Sequence, residues 1–317
     1  MQPAGIDGGE TDTMSRIHEA LKRAEQERAA SSPAGFMPPV EAVVPAPPVR
    51  PAAVAPAHAQ PETGPLTIDL IEARCAKPRW SLDHKTLLFC TGDSHAPGSE
   101  EFRTLRTRLY QMREKHNLRR ILVTSALPAE GKTFTSANLA QVISRQHERR
   151  VLLIDADLRW SRMHISLGAP SLPGLTEYLR GEADELSIIQ RGAQDNLFFI
   201  PGGKTVSNAS ELIGSQRMKQ LLDRMTPLFD WIILDSPPAI PVADASHLAD
   251  LCDGVLLVVR SATTPYDLAQ KTRLDFSEKN LLGVVLNGTE PGSGYSSYYY
   301  DHYGVYGAKA KNGRGQE

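Results

Sequence analysis

Six short apolar runs punctuate residues 120–287: RILVTS (120–125), RVLLID (150–155), NLFFIP (196–201), WIILDS (231–236), GVLLVV (254–259) and LLGVVLN (281–287). Each is of strand length and too apolar for a strand with one face in water. Helix-length amphipathic segments lie between most of them, among them 132–147, 209–226 and 266–279. Apolar strands alternating with helices predict an α/β fold, in which a mostly parallel sheet carries helices on both faces. The pattern spans residues 81–290 and contains no internal repeat.

The flanks read differently. Residues 1–13 are polar and expected to be disordered. Residues 14–30 predict an amphipathic helix, because Ile17, Ala20, Leu21 and Ala24 recur at helical spacing behind a capping Ser15. Its thin apolar face suits either a solvated helix or a docking element. Residues 31–80 are rich in Pro and Ala, which fixes φ and removes backbone donors, so an extended linker is expected. Residues 291–317 never regain a core pattern. There, Tyr295, Tyr298, Tyr299, Tyr300, Tyr303 and Tyr306 account for six of the nine tyrosines and stand among Gly and Ser.

With 41% hydrophobic and 23% charged residues, the 317-residue chain has a globular composition. A net charge of −2 gives no basic field, which argues against a nucleic-acid partner. The three cysteines, Cys75, Cys90 and Cys252, form no CxxC and no metal-ligand spacing. A reducing cytoplasm fits that usage. No apolar run approaches the ~18 residues of a membrane span.

The segment VTSALPAEGKTFTSANLA joins the first strand to a helix. Ala126 to Thr133 follows the phosphate-loop spacing GxxxxGK[ST], with Ala126 where the first glycine stands. Gly131 lets backbone approach phosphate oxygens, and the amides of a helix start favour anions. Ala129, Glu130, Gly131, Lys132, Thr133 and Phe134 are therefore the candidate ATP cradle. Lys132 would reach the β- and γ-phosphates and Thr133 would offer its hydroxyl to Mg²⁺. Two later strands end in carboxylates, Asp155 and Asp157 in IDADLR and Asp235 in ILDSPP. The carboxyl edge of such a sheet is where ligands bind, so the three sites should meet. Carboxylates beside a triphosphate need a cation, and oxygen ligands select Mg²⁺; Thr133, Asp155 and Asp235 are the candidate donors. Arg159, just after the aspartate pair, is a candidate contact for phosphate or a tyrosine ligand. The fold expected is that of a P-loop NTPase.

These residues resemble a known family. ALPAEGKT is similar to its Walker A element, LLIDADLR to Walker A′, IILDSPP to Walker B, and EEFRTLR, with Glu100, Arg103 and Arg106, to its ExxRxxR element. With the tyrosine-rich end, the set resembles the bacterial tyrosine kinases of capsule and exopolysaccharide export, and MSRIHEALKRAE resembles the exosortase-associated autokinases. The resemblance implies an ATP- and Mg²⁺-dependent autokinase that phosphorylates its own tail in trans within a ring. Glu100, Arg103 and Arg106 would bridge subunits, and Asn287 would contact adenine. A separate membrane polysaccharide co-polymerase would activate the kinase and recruit it to the inner face of the membrane. From the residues themselves, Lys132, Asp155, Asp157 and Asp235 are the catalytic set, with Asp155 orienting the tyrosine hydroxyl. Two readings compete: a MinD/ParA-like positioning ATPase, disfavoured by Leu127 where those proteins carry an extra lysine, and a non-catalytic nucleotide switch that regulates a membrane partner.

Overall fold

The computed structural model describes residues 66–89, 97–146, 149–192 and 196–289. The tyrosine cluster and the amphipathic helix expected over 14–30 lie outside the described residues. The first described helix is α1 (Ile68–Arg74), capped by the Thr67 side chain, followed by α2 (Ser99–Lys115). The remaining helices are α3 (Lys132–Ser144), α4 (Met163–Leu167), α5 (Leu175–Leu179), α6 (Glu185–Ile188), α7 (Ala209–Ile213), α8 (Gln216–Met225), α9 (Asp244–Ala249) and α10 (Tyr266–Asp275).

Seven strands form one sheet: β1 (Arg120–Ser125), β2 (Val151–Asp155), β3 (Gln190–Arg191), β4 (Leu197–Ile200), β5 (Trp231–Asp235), β6 (Gly254–Arg260) and β7 (Leu281–Asn287). Their spatial order is β3-β4-β2-β5-β1-β6-β7, and all pairs are parallel except β3 with β4. The six apolar runs are the six longer strands. The two-residue β3 escapes hydrophobic patterning because it is too short to show a period.

Alternation along the strands divides the core in two. Leu122, Leu152, Ile154, Ile232 and Leu234 face a layer that includes side chains of α1, α5, α7, α8 and α9. Ile121, Val123, Val151, Leu153, Trp231 and Ile233 face α2 and α3. Helix α3 is buried from Thr135 to Ser144, so it is not amphipathic as its polar residues suggest. Asn138 shows how they are accommodated. Its Oδ1 accepts from Leu88 N–H (2.7 Å), and its Nδ2 donates to the Thr86 and Phe134 carbonyls (2.9 Å each). A buried amide satisfied in this way carries little of the cost of an orphaned one.

Two boundaries differ from the sequence reading. The linker expected over 31–80 does not extend to residue 80. Helix α1 lies inside it, with Ile71 fully buried against the sheet layer, and Ala76 pairs with Gln190 as a parallel bridge. Leu66, Ile68, Leu70, Ile71 and Cys75, between the last prolines, dock it. The single helix expected over 209–226 is two helices, because Ser215 is extended (ψ 154°) after Gly214. Among the described residues no helix is long and apolar enough to cross a membrane.

Candidate functional site

Central strand β1 runs into the loop 126–131, which opens α3. Its two neighbours, β5 and β6, therefore flank the loop. Gly131 (φ 95°) and Ala129 (φ 63°) take left-handed backbone, and Ala126 does not. The alanine that replaces the first glycine of the motif thus sits in ordinary backbone, fully buried, and the strained alanine is the one three residues on. Gly131 has a second reason to lack a side chain. A Cβ there would lie 1.9 Å from Asn287 Nδ2.

On the β5 side three carboxylates converge. Asp155 and Asp235 are register partners at the ends of β2 and β5. Both are buried, and Asp157 is 5% exposed. Thr133 Oγ1 donates to Asp235 Oδ2 (2.6 Å) and Ser136 Oγ to Oδ1 (3.1 Å). Lys132 Nζ stands 3.6 Å from Asp157 Oδ2. Asp155 Oδ1 accepts from Asp157 N–H (3.2 Å), and its Oδ2 accepts from Ser161 Oγ (2.7 Å) and Met163 N–H (3.2 Å). Burial, then the Asp235 charge, pushes the Asp155 carboxyl above the usual carboxylate range. Burial does the same to Asp235, with Lys132 and Thr133 pulling back.

On the β6 side the loop is tied by neutral and charge-assisted hydrogen bonds. Glu130 is 2% exposed. Its Oε2 accepts from Leu127 N–H (2.8 Å), and its Oε1 accepts from the Thr264 hydroxyl. Arg260 donates to the Ala129 carbonyl (2.9 Å), and Asn287, the last residue of β7, donates to the Glu130 carbonyl (2.9 Å). A cavity of about 240 Å³ opens between loop residues 127–130 and Arg260, Thr263 and Thr264.

The donor set fits a hard divalent cation. Two buried carboxylates lie side by side with a hydroxyl on one of them, all oxygen, in a place where their negative charge is costly without a counter-ion. Among the described residues no group of three or more His, Cys, Asp or Glu is arranged to hold a metal.

Other expected residues are placed as follows. Arg159 is committed to the buried Asp244 at the start of α9 through Nε (2.7 Å) and Nη2 (3.2 Å), and also reaches Ser210. Burial alone would raise the Asp244 carboxyl, but Arg159 and Ser210 hold it below the usual range. The Phe134 ring packs against Phe102 of α2, with centroids 5.8 Å apart. Glu100 and Arg103 pair on α2, whereas Arg106 turns inward and donates to the Val142 carbonyl of α3 (3.0 Å). The three therefore do not form one outward row. Sequence reasoning missed Ser136, one turn beyond Thr133 and so on the same helix face, and Ser161 and Thr264, whose roles no local spacing signals.

The AAA domain family matches residues 121–268. The chain is 34% identical over 213 residues to the tyrosine-protein kinase YwqD of Bacillus subtilis, covering 67% of this chain and 87% of that one. To the tyrosine-protein kinase wzc of Salmonella typhimurium it is 34% identical over 221 residues, 68% of this chain but only 30% of that one. The kinase domain of Escherichia coli tyrosine kinase ETK superposes with a TM-score of 0.56 at 34% identity, covering 60% of this chain and 75% of that domain. With its phosphate loop, the strand-end aspartates beside it and these relatives, the chain belongs to the bacterial tyrosine kinases.

Proposed function

We propose that the protein is an ATP-dependent autokinase whose acceptors are the tyrosines of residues 295–306. The observation that carries this reading is the convergence of Lys132, Thr133, Asp155, Asp157 and Asp235 at the mouth of one loop. The amides of 129–134 and Lys132 hold the phosphates of ATP. Asp155 orients the tyrosine hydroxyl and takes its proton. The phenolic oxygen then bonds to the γ-phosphorus, the bond to the β–γ bridging oxygen breaks, and ADP leaves. Thr133 and Asp235, with Asp155 beside them, would hold Mg²⁺, and Asp157 would support its waters. The ion supplies neutralisation of the charge spread over the transferred phosphoryl group.

Arg159 and Asn287 act at one remove in this scheme. Arg159 fixes the loop after β2 to α9, and Asn287 fixes the phosphate loop to β7. Exposed Glu100 and half-buried Arg103 are the stronger part of a subunit contact, with Arg106 bracing the helix that carries them. The chain acts as a homo-oligomer, phosphorylating in trans. Its work is to regulate exopolysaccharide or capsule export, at the inner membrane face, under a membrane co-polymerase partner. The positioning-ATPase reading finds Leu127, not lysine, at the required place.

Lys132→Met tests the assignment. After incubation of the purified chain with ATP and Mg²⁺, anti-phosphotyrosine signal should fall by roughly 10²-fold or more. Full signal in that variant, on tail tyrosines mapped by mass spectrometry, would reject it.

A further inference from the structure

The loop after β2 hangs from the catalytic carboxylates themselves. Asp157 N–H, Ser161 Oγ and Met163 N–H all donate to Asp155, and Trp160 N–H donates to Asp157 Oδ1 (2.9 Å). Four bonds fix where residues 157–163 stand relative to the acids. Yet the side chain this loop displays is an indole. Trp160 is 66% exposed, and the exposed Arg162 guanidinium lies 5.5 Å from its ring centroid. Scattered exposed apolar residues need no explanation. A tryptophan held three residues from a buried catalytic aspartate, one ring face stacked by arginine and the rest open to solvent, is a different case.

We propose that Trp160, steadied by Arg162, is the platform on which an acceptor tyrosine of segment 292–306 lays its phenol ring before transfer. This deepens the autokinase reading and rests on it. Offset stacking of two aromatic rings contributes ~0.5–1.5 kcal/mol beyond area burial, and the guanidinium on the far face completes a cation–indole–phenol stack. The platform recognises the ring and not its neighbours. That suits a segment in which six tyrosines are set among glycines and serines without a common flanking motif.

The occupant is within reach. β7 lies four places from β2 in the sheet order, or ~19 Å at about 4.8 Å per strand. From Thr289, the last described residue, to Tyr298 an extended chain spans at most ~32 Å. Stacking selects tyrosine over serine, although Ser296 and Ser297 carry hydroxyls on the same segment. The platform thereby accounts for acceptor choice, which the phosphate loop and its carboxylates do not provide.

The test uses the full chain with its six tail tyrosines changed to serine, and a synthetic peptide of residues 292–306 as acceptor. Trp160→Ala should raise the KM for peptide about tenfold, with the KM for ATP unchanged within about twofold, and Trp160→Phe should restore most of the loss. Unchanged peptide KM in Trp160→Ala overturns the proposal. So does a parallel rise in both KM values, which would mean that the residue acts only through Asp157. Acrylamide quenching gives an answer that needs no transfer. Trp231 is fully buried and Trp80 partly so, leaving Trp160 as the accessible indole. The peptide should protect it, and a Tyr→Phe peptide should protect it equally. If Trp160 is protected but no phosphopeptide forms, the autokinase reading fails and the platform stands. If phosphopeptide forms without protection, the platform fails and the autokinase stands.

Discussion

On the β5 side of the phosphate loop, buried carboxylates crowd together, and their ionisation is opposed by burial and by each other. On the β6 side, Glu130 is equally buried, but its oxygens meet Leu127 N–H and the Thr264 hydroxyl, and Arg260 and Asn287 close the ring of contacts. Both flanks are polar and hold a buried carboxylate, and both touch the stretch that runs from the loop into the first turn of α3. One is complete by itself, while the other is completed only when positive charge arrives. The difference shows how a single loop can be held rigid and still be poised for a ligand. The stability that fixes its shape comes from one neighbour and the binding drive from the other.

Substitutions on the two flanks should therefore move stability in opposite directions. The largest effect is expected at Asp235→Asn. Phosphotransfer should fall by roughly 10²-fold or more, while the nucleotide-free chain melts at the same temperature or higher, because a costly buried charge is gone. A clear drop in melting temperature would mean that the bonds from Thr133 and Ser136 outweigh the repulsion. Next is Glu130→Ala, which leaves Leu127 N–H without its acceptor. It should lower the melting temperature and weaken ADP affinity about tenfold by calorimetry, in line with a cost of ~1–3 kcal/mol for a buried unsatisfied donor. Stability at the wild-type level would show that the two flanks are alike after all.

How far the sequence foretold this contrast differs by flank. The acidic side was legible, since each aspartate ends an apolar run and parallel strands bring such ends together. The bracing side was not. Glu130 and Thr264 are 134 positions apart, and nothing local to either announces the other. Nor does any local pattern announce that Asn287, the candidate adenine contact, donates its amide to a loop carbonyl. Arg159, the candidate contact for phosphate or a tyrosine ligand, pairs with Asp244, a residue that reads as an ordinary helix start. Strand positions were legible because period and burial are properties of neighbours in sequence. Partnerships between loops depend on the crossover geometry, which no single stretch encodes.

The smallest expected effect concerns pH. Asp155 and Asp235 hold their protons more tightly in the folded chain than in the unfolded one, where carboxyls titrate near 4. Their contribution to stability is therefore full below about pH 4 and is lost as pH rises through the raised folded-state values. Melting of the nucleotide-free chain followed from pH 5 to pH 7.5 should show this loss, and the difference between wild type and Asp155→Asn isolates it. Mg²⁺ with ADP should offset the loss at the upper end. Parallel curves for wild type and variant would show that the pair titrates normally and that this flank is not poised.

Asn287 ends the last strand, and its amide is closer to the loop glycine than any added methyl group could tolerate. Anyone grafting a foreign acceptor sequence onto this scaffold must splice beyond Gly288. Cutting before Asn287 would remove a keystone of the nucleotide cradle along with the tail, and the chimera would lose its donor site before its new acceptor could be tried.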